Sequence, residues 1–314
     1  MKSKMKKSEK KGKLVAFLLA SLKGFSQIVF IENALTGFII LVAVTSTSLL
    51  LGTIALLSAF IGTAIGKIGG ADEKSVNQGL HGFNPVLTGI ALTLWLDGPH
   101  GWIIALIAAA LTAILAAALM HLMKNTEMPI LTFPFIIMTW FLLLASHKLN
   151  FFHLSPSLVP INLIDWHLDI SGETDWVSGI FNGISQIFFL PTILAGVLLF
   201  VAVFLGGWKY GVFAIIGNLA GLLTAYALGA EHSLIFAGLY GYNAILTIIA
   251  VSVVFNTPAN RFSILSGIIG ACISVPVTAG LATYLLPLGL PALTMPFVLS
   301  TWLFLFARKV LPRL

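Results

Sequence analysis

The sequence predicts an all-α integral membrane protein made of two inverted repeats, each with five transmembrane helices and one short re-entrant helix. Three observations lead there. Of 314 residues, 58% are hydrophobic and 9% charged, with a mean hydropathy of +1.02, whereas a soluble domain carries roughly 25% charged residues. Short blocks recur in the same order about half a chain apart. Both ends of the chain are basic, while its middle is acidic.

The segments follow in order. The opening MKSKMKKSEKKGK (1–13) is Lys-rich and runs into an apolar pattern with no evident small-residue cleavage site. It reads as a retained basic tail on the cytoplasmic side, a topology determinant and not a nucleic-acid arm. Apolar segments then fall near 14–31, 32–49, 52–68, 79–96, 101–123 and 130–145, with counterparts in the second half. The first membrane repeat is therefore set at 14–145, the second at 178–307, and a second basic cytoplasmic segment at 308–314. The linker 146–177 carries Asp165, Asp169, Glu173 and Asp175 against the single Lys148 and fits the opposite, extracytoplasmic face. Termini on one side and linker on the other make each half cross an odd number of times. Six segments with an odd crossing number mean five spans and one re-entrant piece, and an odd half turns the second copy upside down relative to the first. Such a chain belongs in the cell membrane with lipid around it. The lone Cys272 cannot form an intramolecular disulfide.

The repeats are explicit. GFSQIVF from Gly24 matches GISQIFF from Gly183 at five of seven positions, and GLHGFNPVL from Gly79 matches GLYGYNAIL from Gly238 at five of nine. LTFPFIIMTWFLLLA from Leu131 matches LTMPFVLSTWLFLFA from Leu293 at eight of fifteen. None of these blocks contains a carboxylate, Lys or Arg, the expected marks of an ion path. Gln27 and Gln186 stand three residues before Phe30 and Phe189, so amide and ring project from roughly one helix face. A buried glutamine serves either as an interhelical bond or as a contact for a solute, and retention of amide and ring together in both copies favours the solute. Asn84 and Asn243 follow glycine turns and are expected to hold their own loop in place, with direct solute contact as the other option. Thr132 and Thr294 precede a Pro, offering a hydroxyl near a freed carbonyl, or merely packing. Small residues at helix-contact spacing (Ser58, Gly62, Gly66; Gly217, Gly221, Ala225) read as close helix packing. Together these features describe a path for a neutral, polar solute.

With these blocks in tandem halves, the sequence resembles the urea transporter family in its bacterial form, over nearly its whole length. The resemblance implies a homotrimer with one channel per protomer, ten transmembrane helices plus a short helix per half, and passive, selective conduction of urea. It implies that Phe30 with Phe83 and Phe189 with Tyr242 form two aromatic slots. Leu87 and Leu246 would narrow the middle, Thr132 and Thr294 would flank it, and Gln27 and Gln186 would help build oxygen-rich edges. Gln at position 186, where the family varies between Gln and Glu, and Tyr242 opposite Phe83 are the two departures. Urea suits such a path because it is planar and neutral, and unmet N–H groups would each cost several kcal/mol.

Other functions fit less well. An ammonia channel would want paired pore histidines, yet His81 aligns with Tyr240, and an aquaglyceroporin would want two Asn-Pro-Ala motifs, whereas Asn84-Pro85-Val86 aligns with Asn243-Ala244-Ile245. An ion-coupled carrier would bury a carboxylate; Glu32 and Glu127 are the candidates, but both lie near segment ends and Glu32 aligns with Pro191. No clustered Ser, His and Asp suggests an enzyme, and the seven histidines lack ligand spacing. No cofactor, metal or nucleic-acid partner is expected.

Overall fold

A computed structural model describes residues 2–256 and 262–312. Met1, 257–261 and 313–314 lie outside the described residues, and with them the ends of both predicted basic segments. The chain is an all-α membrane protein. Its first part contains α1 (Lys2–Gln27), α2 (Ala34–Thr47), α3 (Leu49–Ile68), α4 (Glu73–Asn77), α5 (Phe83–Trp95), α6 (Gly101–Met123) and α7 (Phe133–Ala145). The second part runs α8 (Trp176–Ser185), α9 (Ile193–Gly206), α10 (Trp208–Ala227), α11 (His232–Phe236), α12 (Gly241–Ile249), α13 (Ser263–Leu285) and α14 (Met295–Val310). Beyond these, only β1 (Leu96–Asp97) and β2 (His153–Leu154) pair, antiparallel, among the described residues.

Several boundaries differ from the sequence reading. Helix α1 starts within the basic segment, at Lys2, and Arg308 and Lys309 belong to the last turn of α14 and not to a separate tail. The run predicted at 79–96 becomes helical only at Phe83, and the short helices α4 and α11 precede the GLxG turns. Gly79 (φ +82) and Gly238 (φ +83) explain the repeated glycines. A Cβ on Gly79 would lie 2.6 Å from the Gly24 backbone nitrogen, and one on Gly238 would lie 2.4 Å from the Asn182 carbonyl carbon. Only glycine tolerates both the left-handed backbone and that approach.

Side-chain caps set the entries of several helices. Asn33 accepts from the amides of Leu35 and Thr36, and Asp175 from that of Ser178. By length and composition, Leu49–Ile68, Gly101–Thr126, Trp208–Ala227 and Ser263–Leu288 can each cross a bilayer. Trp176–Phe188 and Ile193–Gly206 qualify as one further passage, bent by 73°. The helices of 13 or 14 residues, such as α2, α5 and α7, reach only about 20 Å, short of the roughly 30 Å hydrocarbon core. The small-residue stripes make close contacts, since a Cβ on Gly62 would sit 2.4 Å from the His81 carbonyl oxygen. The two parts share one core holding Phe25, Leu87 and Phe135 together with Phe188, Leu246 and Phe297. Helix α2 packs on α9, where the Thr36 hydroxyl donates to the Ala202 carbonyl (3.2 Å).

Candidate functional site

The site is built from two helix ends and two turns. At the end of α1, Ile31 N donates to Ser26 O (2.9 Å) and Phe30 N to Gln27 O (3.0 Å), with Phe30 left-handed at φ 63. The same arrangement closes α8, where Leu190 N donates to Ser185 O and Phe189 N to Gln186 O (both 3.1 Å), and Phe189 has φ 61. This is a Schellman ending, whose left-handed position is normally glycine. A bulky L-residue there costs roughly 1–2 kcal/mol, so retaining a phenylalanine twice points to a use for the ring.

The glutamines just before these turns are anchored and still available. Gln27 Nε2 donates to Gln78 O (2.8 Å) and Gln186 Nε2 to Ala237 O (3.0 Å). A carbonyl can only accept, so the amide nitrogen is committed to the protein and the side-chain oxygen is presented on the other side. The interhelical bond expected of a buried glutamine is therefore present at both positions, and each side chain also walls a cavity.

The asparagines do something other than expected. Asn84 and Asn243 sit in the first turns of α5 and α12, not in a loop, and they tie down the LTxPF turns instead of their own segment. Asn84 Nδ2 donates to Leu131 O (3.2 Å) and Asn84 Oδ1 accepts from Phe135 N (3.3 Å). Asn243 repeats this with Leu293 O (3.4 Å) and Phe297 N (3.2 Å). Leu131 and Leu293 are also left-handed, at φ 50 and 53, so each turn needs an external brace. Tyr242 adds to the second brace through its hydroxyl, which donates to Leu293 O (2.5 Å), giving a physical reason for Tyr where the first part has Phe83. The two turns meet directly, because the hydroxyls of Thr132 and Thr294 lie 2.6 Å apart. Trp140 Nε1 donates to Pro291 O and Trp302 Nε1 to Pro129 O, each at 2.9 Å, so the exchange is reciprocal.

Two cavities open around this junction. One, about 420 Å³, is walled by Gln27, Phe30, Phe83, Thr132, Phe255 and Phe297, among others. The other, about 500 Å³, is walled by Gln186, Phe189, Tyr242, Trp95, Thr278 and Leu293, among others. Lys124 and Glu127 reach the first; the second is bordered by no charged side chain among the described residues. The first takes its rim from the turn bound by Lys309, whose Nζ donates to Thr126 O and pairs with Glu127 (3.7 Å). The second takes Ser157 from the linker, which is held over it by the Ser155 N to Trp95 O bond (2.9 Å). Glu32 lies apart from both, paired with Lys23 (2.8 Å).

The predicted pairs Phe30 with Phe83 and Phe189 with Tyr242 thus each share a cavity, but neighbours invisible in the repeats pack on them. Phe30 meets Phe255 and Phe297 (centroids 6.0 Å each), and Phe189 meets Trp95 (5.0 Å) and Phe135 (6.2 Å). Each ring cluster therefore joins a residue of one part to two of the other. Leu87 and Leu246 border neither cavity; both are fully buried in the common core. Thr294 is reached only through Thr132. The aligned positions of Trp95 and Phe255 fall one residue out of register, so repeat matching alone could not have paired them.

Two oxygen-bearing, aromatic cavities in a helical membrane protein, the first walled by one hydroxyl of a buried threonine pair, are suited to small polar solutes. The family model for the urea transporter (UT) matches residues 18–309, and the chain belongs to that family. It is 26% identical over 300 residues to Urea transporter 1 of Ovis aries and 26% identical over 307 residues to Urea transporter 1 of Rattus norvegicus. Each alignment covers 93% of this chain and 77% of the relative.

Proposed function

We propose that the chain conducts urea passively across the cell membrane through a path in each protomer of a homotrimer. The path enters one cavity, passes the Thr132–Thr294 contact and leaves by the other. The two parts act as inverted repeats of five spans and a re-entrant helix each, with both termini cytoplasmic. The 73° bend between α8 and α9 supports a re-entrant passage there. Phe30 with Phe83 and Phe189 with Tyr242 hold the flat faces of the solute, while the oxygens of Gln27, Gln186 and Thr132 take its N–H groups. Leu87 and Leu246 narrow the middle from behind, as packing under the junction, with Thr294 acting through its bond to Thr132. Asn84 and Asn243 keep the turns in shape.

The observation that carries this reading is the twofold recurrence of one anchored glutamine and one strained phenylalanine at a cavity wall. Replacing lost water with fixed oxygens is what a neutral amide requires, because each unmet polar group costs several kcal/mol. A cation would instead need a buried carboxylate, and Glu32 is already neutralised by Lys23. The test is light scattering on proteoliposomes: saturable urea flux without any ion gradient is expected. Flux no greater than in empty vesicles overturns urea conduction, and strict dependence on a sodium or proton gradient overturns the passive mechanism.

A further inference from the structure

The two cavities also differ in how the helix beside each one ends. On the linker side, α5 ends at Trp95 and its backbone is taken up by the β1–β2 pair. On the other side, α12 runs into a π-helical turn, Ala250–Val254, closed by Phe255 N donating to Ala250 O (2.9 Å). Carbonyls at the end of such a turn have no amides to follow them. Arg308, from the last turn of α14, supplies donors: Nη1 donates to Phe255 O (2.8 Å) and Nη2 to Val251 O (3.0 Å). The position 162 residues earlier is Ser146, whose hydroxyl only bonds the Leu143 carbonyl of its own helix (2.6 Å). The guanidinium clamp therefore belongs to one cavity alone.

What it clamps matters. The Phe255 ring walls the first cavity and meets Phe30 edge-on, with centroids 6.0 Å apart and planes at 89°. A planar fork spanning two carbonyls one turn apart fixes both the position and the direction of the backbone that carries this ring. Single π turns recur at functional sites because they re-aim side chains. We propose that Arg308 is a positioning residue: by holding Phe255 against Phe30 it sets the aperture of the first cavity and hence the discrimination between urea and wider N-alkylated ureas. This inference rests on the urea conduction proposed above.

The experiment uses the full chain in proteoliposomes and measures the permeability ratio of urea to N-methylurea and N,N′-dimethylurea. Wild-type flux is measured first; its absence defeats urea conduction itself, whatever the variants do. Given flux, Arg308→Met is expected to lower the ratio several-fold, Phe255→Ala to do the same, and the double variant to go no further than Phe255→Ala. Arg308→Lys, which keeps the charge but cannot span both carbonyls, is expected to fall between Arg308→Met and wild type. A wild-type ratio in Arg308→Met overturns the proposal, as does a double variant whose shift is the product of the two singles. An equal loss of all permeabilities with the ratio unchanged also overturns it, since that is what a merely structural residue would give. If Arg308→Met does not yield folded protein, Arg308→Lys decides: an intermediate ratio supports the clamp, a wild-type ratio refutes it.

Discussion

Thr132 and Thr294 are 3% and 1% exposed, and their hydroxyls face each other at 2.6 Å. Replacing one by Val keeps its shape, removes the hydroxyl and strands the other, which costs about 1–3 kcal/mol of stability for a buried group left unmet. The double variant Thr132→Val/Thr294→Val strands nothing, so it should be destabilised by clearly less than the sum of the two singles. Permeation should move the other way. A urea at the junction has shed its water, and each missing hydroxyl raises the transit barrier by a comparable 1–3 kcal/mol, slowing flux by about 5-fold to about 160-fold. The single variants are thus expected to be less stable and slower, and the double variant more stable than the singles predict but slower still. Thermal unfolding in detergent and urea flux per folded protein, measured on all four forms, separate the two effects. Wild-type flux in the double variant would refute the reasoning and reduce the hydroxyl pair to packing.

Three further outcomes follow from the same geometry. Asn84→Ala leaves the Leu131 carbonyl and the Phe135 amide unmet and should lose roughly 2–6 kcal/mol, whereas Asn243→Ala strands only the Phe297 amide, since the Tyr242 hydroxyl still bonds the Leu293 carbonyl, and should lose roughly 1–3 kcal/mol, both seen as a fall in thermal midpoint. Phe30→Gly exchanges relief of about 1–2 kcal/mol of left-handed strain against loss of a partly buried ring. The midpoint should change little while discrimination between urea and N-methylurea collapses, and intact discrimination would contradict a slot role. Bonds from the Ser178 hydroxyl and amide hold the Asp175 carboxyl below its usual range. With the folded value depressed, this cap of α8 is at full strength above the ordinary carboxylate range and is lost as pH falls through the folded value. Asp175→Asn, which keeps an accepting oxygen, should remove that acid-side loss from midpoints measured across the acid range.

Local chemistry made much of this protein readable in advance. The apolar runs gave the helices, because a segment that crosses lipid must satisfy its backbone internally and be apolar outside. The Gln–Phe spacing in SQIVF and SQIFF announced that amide and ring share a cavity wall, but a left-handed helix ending brings them there and not the continuous helix face that the spacing suggested. The GLxG blocks were visible as turns, since glycine is the cheap residue where φ is positive.

Other features depended on contacts between distant segments. Asn84 and Asn243 were legible as structural, but which turn they brace was decided by the folding of α7 and α14 beside them. Leu87 and Leu246 are apolar wherever they sit, and only the packing put them in the core instead of at a cavity wall. Trp95, Phe135, Phe255 and Phe297 entered the ring clusters from the opposite half, a pairing that no local spacing encodes. Arg308 looked like one more terminal positive charge until α14 brought it to the carbonyls of a π turn. Helix type and turn position are written in neighbouring residues, because they follow from backbone sterics and local hydrogen bonds. Which side chains share a cavity is settled only when the two halves pack, because that is a property of the space between them.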